Sequence, residues 1–223
     1  MKKPFGDGMA VLDEGTKNQL RSTFSGLSGK VKLIFFKPSG GCQFCDQIEG
    51  LVNDVASTGA FLSAEIHVLG QEKELAEKYK LDKAPVIIIE GKNKGRVRYF
   101  GIPSGHEFSS FIQDIIDAST GEIELPDEIK QQIRAIDFPL HIQVFVTPTC
   151  PYCPPAVKLA HDFAFLNENV TADMVEAIEF RELAMKYRVQ GVPKTIVNEK
   201  LELEGLYPPD IFIKRVLGLK GKG

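Results

Sequence analysis

The same four-residue pattern, Cys-x-x-Cys, occurs twice in this chain of 223 residues and contains all four of its cysteines. The copies are residues 42–45, Cys-Gln-Phe-Cys, and residues 150–153, Cys-Pro-Tyr-Cys, so their starts lie 150 − 42 = 108 residues apart. A proline that follows an apolar residue comes after each pair at the same distance, as Ala84-Pro85 and Val192-Pro193. A repeat of this period predicts two folded units of about 110 residues in tandem.

Hydrophobic periodicity predicts the same order of elements in both halves, α-β-α-β-α-β-β-α. The predicted strands are 31–36, 61–68, 86–90, 96–100, 140–146, 170–176, 194–198 and 201–205. The predicted helices are 16–28, 42 onward, 71–80, 105–118, 129–136, the second dithiol helix to about 167, 179–188 and 209 onward. The polar stretch 118–125 predicts a boundary, which gives domains 1–120 and 121–223. Because this connection is short, we expect the two domains to pack against each other.

Charge and composition narrow the class of protein. A net charge of −3 and a pI near 5.9 argue against a general nucleic-acid or anionic-membrane binder. Apolar runs fall short of the ~18 residues that a membrane-spanning helix needs, and residues 1–15 lack the apolar core of a signal peptide. We therefore expect a cytoplasmic protein, a setting in which a paired dithiol is typically catalytic or metal-binding rather than structural.

The element order, with a dithiol between the first strand and the next helix, resembles the thioredoxin fold, and the resemblance covers nearly the whole chain twice. Cys-Pro-Tyr-Cys is also the glutaredoxin signature, and the preceding residues 146–149, Val-Thr-Pro-Thr, look glutaredoxin-like. Two such units in one chain resemble the protein disulfide oxidoreductases of thermophilic archaea and bacteria. The resemblance implies an α/β fold of two tandem thioredoxin-like domains, each a central mixed β-sheet flanked by helices. Proline-rich turns and many Glu and Lys residues fit a thermophile.

The activity that this resemblance implies is thiol–disulfide exchange on proteins, by reduction, oxidation or isomerisation, with a role in cell redox homeostasis. It implies no metal or organic cofactor, because electrons pass through the cysteines. The implied partners are disulfide-containing or unfolded proteins and a thioredoxin reductase-like flavoenzyme. One alternative is a dedicated electron relay from a thioredoxin reductase to a peroxiredoxin-type acceptor. Another is a redox-inactive chaperone or a metal-binding scaffold, against which the two complete dithiols argue.

The position of each dithiol at the start of a helix assigns different roles to its two cysteines. Thiol–disulfide exchange needs a thiolate, and unpaired N–H groups and the helix dipole at a helix N-terminus favour this anion. We therefore predict that Cys42 and Cys150 are the nucleophiles. Cys45 and Cys153, one turn further on, are predicted to resolve the mixed disulfide and release the product.

The two prolines have a role that only the resemblance implies. In the thioredoxin fold a cis-proline loop faces the dithiol and pairs with an extended substrate segment. Ala84-Pro85 and Val192-Pro193 hold that place, so these residues are predicted to be cis and to bind substrate. The alternative is an ordinary trans proline that starts a strand.

A zinc site and a glutathione site are the other sites that such residues could form. Zinc ribbons separate their Cys pairs by roughly 15–20 residues, whereas Cys45 and Cys150 are 105 apart and the four histidines show no ligand spacing. A glutaredoxin-type glutathione site needs a Gly-Gly-Asp-type turn after the last strand, and residues 101–105 and 205–210 match it poorly. We expect neither a metal site nor a dedicated glutathione site.

The charges beside the two dithiols differ. Asp46 and Glu49 follow the first pair, whereas Val157 and Lys158 follow the second. Negative charge opposes a thiolate. We therefore predict a lower pKa for Cys150 and a more reactive second pair, although the prolines of that pair remove N–H donors.

Proton transfer to the resolving cysteine is a further open point. Thioredoxin carries a buried Asp on the strand before its dithiol, but this chain has uncharged residues such as Ile34 and Val144 there. Glu65 and Asp173, which are 173 − 65 = 108 residues apart on the next strand, are candidate substitutes. The alternative is that both are exposed acids on a strand.

Overall fold

A computed structural model describes residues 11–220 of the chain. The strands are β1 (Val31–Lys37), β2 (Leu62–Val68), β3 (Val86–Glu90), β4 (Arg96–Phe100), β5 (Leu140–Val146), β6 (Val170–Glu176), β7 (Lys194–Val197) and β8 (Leu201–Glu204). The helices are α1 (Glu14–Thr23), α2 (Cys45–Ala56), α3 (Lys73–Lys78), α4 (Glu107–Thr120), α5 (Asp127–Arg134), α6 (Cys153–Leu166), α7 (Arg181–Lys186) and α8 (Pro209–Leu217). The charges at residues 2–7 that enter the signal-peptide prediction lie outside the described residues.

The predicted order of elements is confirmed in both halves, which we define as the residues before and after Gly121. The main difference concerns the dithiol helices. Both begin at the second cysteine of the pair, Cys45 or Cys153, and not at the first. In the second pair a turn precedes the helix, because the Cys153 N–H approaches the Cys150 carbonyl oxygen at 3.5 Å. The first cysteine of each pair therefore precedes its helix by three residues. In the described part of the chain, no helix combines the length and the apolar character that crossing a bilayer requires.

A single eight-stranded sheet joins the two halves, in the order β2-β1-β3-β4-β6-β5-β7-β8. The junction is the parallel pairing of β4 with β6, in register from Arg96↔Thr171 to Phe100↔Val175. The short connection predicts that the two halves pack against each other. In the structure they also share backbone hydrogen bonds between β4 and β6. A shared sheet fixes their orientation through backbone hydrogen bonds.

The strand directions place both dithiols at the same edge of this sheet. Strands β1, β4, β5 and β6 all run in the same direction. Each dithiol follows the C-terminal end of its strand, β1 or β5. Four strand spacings, about 19 Å in total, separate β1 from β5. An extended polypeptide lying along this edge would therefore pass the two sites in the same orientation relative to their strands.

Alternation along the strands divides the core between the two faces of the sheet. One face carries Cys45 and Cys153 in a large apolar cluster with α1, α2, α4, α5, α6 and α8. The other face carries a smaller cluster, with Tyr79 and Tyr187 from the chain just after α3 and α7. The dithiols therefore belong to the face covered by the long helices.

Polar contacts join the halves on both faces. On the dithiol face, Tyr99 of β4 and His161 of α6 both bond to the Asp114 carboxylate of α4. On the opposite face, Arg98 forms two 2.7 Å contacts with the Asp173 carboxylate. The long helix α6, which begins at the second dithiol, is thus anchored in the first half of the chain.

Candidate redox sites

Each Cys-x-x-Cys pair is closed as a disulfide, with Cα atoms 5.5 Å apart in both cases. The first cysteine is the more exposed of the two in each pair. At the first site Cys42 is partly exposed and Cys45 is 5% exposed. At the second site Cys150 is 8% exposed and Cys153 is fully buried. A nucleophile must be reached from outside, whereas a resolving thiol has only to reach its neighbour. The order of exposure supports the predicted roles of the four cysteines, which stay predictions.

The two prolines stand beside the dithiols at the same edge of the sheet. The Ala84–Pro85 and Val192–Pro193 peptide bonds are both cis. They immediately precede β3 and β7, which are the antiparallel neighbours of β1 and β5. At the second site, Cys150 Sγ lies 3.6 Å from the Val192 carbonyl oxygen. The structure thus brings each proline loop next to its dithiol, and substrate binding by these loops stays a prediction.

An ion pair at the first dithiol changes the charge argument made from the sequence. Glu49 lies one helical turn after Cys45, as predicted, but Lys37 Nζ contacts its carboxylate at 2.6 Å. Lys37 ends β1 and precedes the dithiol turn. The Glu49 charge is therefore compensated locally, and only the exposed Asp46 is left without a described cation partner.

The positive charge at the second dithiol is compensated as well. Lys158 Nζ contacts Asp117 at 2.7 Å and also pairs with Asp162. Burial alone would lower the pKa of Lys158, but the carboxylates of Asp162, Asp114 and Asp117 outweigh it and hold that pKa above its ordinary value. The charges of Glu49 and Lys158 are thus neutralised by neighbours, and only Asp46 still favours a lower pKa for Cys150. The greater reactivity of the second pair stays a prediction.

Asp173 does not lie where proton transfer to Cys153 requires it. Its neighbours Ala172 and Met174 pack in the cluster that contains Cys153, so strand alternation turns Asp173 to the opposite face. There it is fully buried against Arg98 and His141. Burial would raise the pKa of Asp173, but the Arg98 charge and the His141 contact hold it well below its ordinary value. The structure corrects the hypothesis: Asp173 joins the two halves.

Glu65 is corrected for the same reason. Ala64 and Ile66 pack against the cluster that contains Cys45, so Glu65 points to the other face. Its carboxylate pairs with Lys32 at 2.9 Å, and this contact lowers the pKa of Glu65. Neither acid of the matched pair faces a resolving cysteine.

Glu107 is a buried acid on the dithiol face that the sequence analysis missed. It begins α4 and is 1% exposed; Ser110 Oγ donates to its Oε2, and no described residue bonds to its Oε1. Burial raises the pKa of Glu107 to about 7, against the bond from Ser110 and together with the nearby charge of Asp114. The preceding N–H, that of His106, donates to the Pro148 carbonyl oxygen at 3.0 Å. This places the start of α4 beside the turn that carries Cys150.

No local signal identifies Glu107, because acidic side chains in the first turn of a helix are common and its burial depends on tertiary packing.

Within residues 11–220, no group of three or more His, Cys, Asp or Glu side chains is arranged to hold a metal ion.

Comparisons with known proteins agree with this geometry. A family model for the thioredoxin domain matches residues 140–218. Curated relatives include the F subunit of alkyl hydroperoxide reductase from Staphylococcus aureus (strain NCTC 8325 / PS 47), 30% identical over 166 residues, and that from Staphylococcus epidermidis (strain ATCC 12228 / FDA PCI 1200), 28% identical over 174. These matches cover 70% and 77% of this chain but 32% and 31% of the relatives. The chain thus spans about a third of their length.

Solved structures extend the similarity over both halves. A protein disulfide oxidoreductase from Aeropyrum pernix K1 has a TM-score of 0.85 and 28% identity, covering 93% of this chain and 94% of that one. A structure of the alkylhydroperoxide reductase component AhpF from Enterococcus faecalis (V583) has a TM-score of 0.84, covering 92% of this chain and 99% of that one, and at 24% identity it shows the fold alone.

These findings define the class of protein. The chain has the thioredoxin-like fold of the disulfide oxidoreductases it resembles and two disulfide-forming Cys-x-x-Cys sites, which together support thiol–disulfide exchange. The predicted α/β fold of two tandem thioredoxin-like units is confirmed.

Proposed function

We propose that this enzyme acts on the disulfides of proteins and uses both of its dithiols to do so. The observation that carries the proposal is the presence of two complete dithiols at one edge of a single sheet, each beside its own proline loop. A polypeptide in an extended conformation can approach such an edge and pair with exposed backbone groups. The proposed substrates are disulfide-containing or unfolded proteins.

The reductive reaction follows from the order of exposure within each pair. The thiolate of Cys150 attacks one sulfur of a substrate disulfide, which forms a mixed disulfide and releases the first substrate thiolate. Cys153 then loses its proton and attacks Cys150 Sγ. This step forms the Cys150–Cys153 disulfide of the enzyme and releases the second substrate thiolate. Two electrons pass from the dithiol to the substrate, and two protons complete its thiols. Cys42 and Cys45 perform the same steps at the first site, and oxidation is the reverse sequence.

Glu107 is our candidate for the proton acceptor of Cys153. A general base works best when its pKa lies near the working pH, and burial brings the pKa of Glu107 to about 7. Helix α4, which Glu107 begins, packs on the face that carries Cys153, and the N–H of the preceding residue, His106, bonds to Pro148 in the turn before Cys150. The Glu107 oxygen Oε1 has no other described partner and is available for the proton.

Exposed apolar side chains around the second dithiol support a polypeptide substrate. Tyr152 between the cysteines is 64% exposed, Ile178 after β6 is 69% exposed and Leu206 after β8 is 44% exposed. All three follow strand ends at the edge that carries Cys150. Apolar side chains that flank a substrate disulfide can bury surface against them, with about 25 cal/mol gained per Å².

The test is reactivation of scrambled ribonuclease A with the wild-type enzyme and two single-site variants. These variants are Cys42→Ser/Cys45→Ser and Cys150→Ser/Cys153→Ser. Reactivation by the wild type, and partial reactivation by each variant, is the expected result. No reactivation by the wild type, in a buffer where it reduces a small disulfide peptide, would refute a general action on proteins.

A dedicated electron relay is the second candidate, and the similarity to the F subunit of alkyl hydroperoxide reductase favours it. In this role a thioredoxin reductase-like flavoenzyme would reduce one dithiol, and a peroxiredoxin-type acceptor would oxidise it. Peroxide consumption would then require this chain in a mixture of reductase, chain and peroxiredoxin, while scrambled ribonuclease A would stay inactive. The two assays together distinguish the candidates.

The proposed function also includes a cellular location and a division into two domains. We place the enzyme in the cytoplasm, since all four cysteines belong to the two dithiols. We divide it into domains 1–120 and 121–223, because α4 ends at Thr120 and Gly121 caps it with a left-handed φ of 76°. Limited proteolysis that cleaves first at 121–125 would agree with this division.

A further inference from the structure

We propose that Glu179, a residue of the second half, is a positioning residue of the first redox site. It holds the segment 101–105 in place beside Pro85, and this inference rests on the proposed action on extended polypeptide substrates. Neither Glu179 nor this segment belongs to a dithiol or a proline loop. The first site would thus depend on the second half for the shape of its substrate surface.

Two hydrogen bonds connect Glu179 to the first proline loop. Glu179 Oε1 accepts the N–H of Ile102 at 2.7 Å. The adjacent N–H, that of Gly101, donates to the Pro85 carbonyl oxygen at 3.2 Å. One side-chain hydrogen bond and one backbone hydrogen bond therefore link the second half to Pro85. The carboxylate fixes the segment from the side away from the proline.

Glu179 is itself held rigidly. Glu176, which is 3% exposed, accepts the N–H of Ile178 at 3.0 Å and that of Glu179 at 2.6 Å through its Oε2. The ring of Phe180 packs edge-on against Phe100 of β4, with ring centroids 5.7 Å apart. Because these contacts fix the backbone on both sides of Glu179, its carboxylate can act as an anchor for another segment.

The contact is close as well as polar. A Cβ atom at Gly101 would come within 2.7 Å of Glu179 Oε1 and 2.8 Å of Glu176 Cβ. Gly101 also has a left-handed φ of 93°, which favours glycine. The segment after β4 therefore has little freedom to move towards the second half.

The second site lacks this anchor and serves as an internal control. Its equivalent glycine, Gly205, donates to the Pro193 carbonyl oxygen at 2.8 Å with a φ of 84°. A Cβ at Gly205 would meet no described atom within 4 Å, and the next residue, Leu206, is 44% exposed. The preceding strand β8 is the edge of the described sheet, and no described strand pairs with its outer side. The same backbone feature is anchored at the first site and open at the second.

Three substitutions at Glu179 separate its hydrogen bond from its charge. Glu179→Ala removes the acceptor, Glu179→Asp keeps the charge but withdraws the acceptor by one methylene, and Glu179→Gln keeps a neutral acceptor. Each substitution is made in two backgrounds: Cys150→Ser/Cys153→Ser, which leaves only the first site, and Cys42→Ser/Cys45→Ser, which leaves only the second. Reduction of insulin with dithiothreitol as the electron source gives kcat and KM for the remaining site. We expect the Ala and Asp variants to raise the KM of the first site about 3- to 10-fold and to change its kcat by no more than about twofold. The Gln variant and all second-site values should stay near the parent.

A second measurement does not need turnover. Hydrogen exchange of the amides in residues 101–105 should accelerate at least about tenfold in Glu179→Ala, while residues 205–207 stay unchanged. Gly101→Ala and Gly205→Ala form a matched pair, because both share the left-handed backbone and only the first meets Glu179. Gly101→Ala should raise the first-site KM, and Gly205→Ala should leave it unchanged.

The outcomes are distinct. Equal losses at both sites, Gln behaving like Ala, or unchanged exchange in residues 101–105 would each overturn the positioning role. If the parent single-site enzymes fail to reduce insulin, the proposed function fails, and the exchange measurement still decides whether Glu179 holds the segment.

Discussion

The two redox sites have the same motif and fold, but the other half of the molecule contacts each of them on a different side. At the first site the proline side is covered, because Glu179 holds the segment beside Pro85. At the second site the dithiol side is covered, because the His106 N–H bonds to Pro148 just before Cys150. Both supports involve one segment, residues 101–106. When two units repeat side by side in one sheet, each has a neighbour on one side only, so identical motifs acquire different surroundings.

The largest expected effect removes the nucleophiles of both sites. Cys42→Ser/Cys150→Ser should lower disulfide reduction at least about 1000-fold, because an alcohol does not form the anion that attacks a disulfide. The single variants break the comparison, since each leaves one site intact and its turnover measures that site alone. Insulin reduction is the assay. The resolving variant Cys153→Ser is the control and should accumulate a mixed disulfide with substrate, visible by mass spectrometry.

Removing the buried ion pair between the halves should cost stability. Arg98→Ala leaves the Asp173 charge buried without its main partner, which typically costs about 3–5 kcal/mol. Because the folded pKa of Asp173 is lowered, its contribution is complete above the unfolded value of 3.8 and is lost as pH falls below it. Denaturant unfolding at pH 7 measures the loss. Lys32→Ala, which breaks an exposed pair on the same face, is the control and should leave unfolding unchanged.

Glu107→Gln should stabilise the protein at neutral pH. The ordinary carboxyl value is 4.5 and burial raises the pKa of Glu107 to about 7, so the wild type becomes less stable as pH rises between these values. The variant lacks this ionisation and should gain about 2–3 kcal/mol above pH 7, and nothing below pH 4.5. Unfolding curves at pH 4, 6 and 8 test the trend. A gain that is equal at all three pH values would contradict it.

The same variant sharpens the comparison of the sites. If Glu107 accepts the proton of Cys153, Glu107→Gln should slow second-site turnover about 100-fold and flatten its pH profile near 7, since general bases typically contribute about 10²–10⁴-fold. The first-site background should be unaffected. Equal slowing in both backgrounds would point to a structural role instead.

The smallest expected effect concerns the ion pair at the first dithiol. Lys37→Ala should expose the Glu49 charge one turn from Cys45 and slow alkylation of Cys42 about two- to threefold at pH 7. Iodoacetamide trapping in the Cys150→Ser/Cys153→Ser background measures the rate. Lys37→Ala/Glu49→Gln should restore it, because the neutral amide leaves no charge to compensate.

Local sequence was sufficient for much of the fold. Strands β3, β4, β5 and β6 have the predicted bounds, because short apolar runs between turn residues specify a buried strand. Helix α4 ends at Thr120 and not at 118, a shift within the usual uncertainty of helix ends. The dithiol helices begin three residues later than predicted, since the hydrophobic pattern does not define the residue at which the helix begins.

The sequence by itself determined the two dithiols, their prolines and the repeat that orders the elements around them. Only the tertiary structure decided that β4 pairs with β6, which face Glu65 and Asp173 occupy, and which charges are compensated. The partners involved are far apart in the chain, as with Arg98 and Asp173 at a separation of 75 residues. Periodicity acts over a few residues and specifies local structure, whereas charge and burial depend on neighbours that folding brings together from both halves.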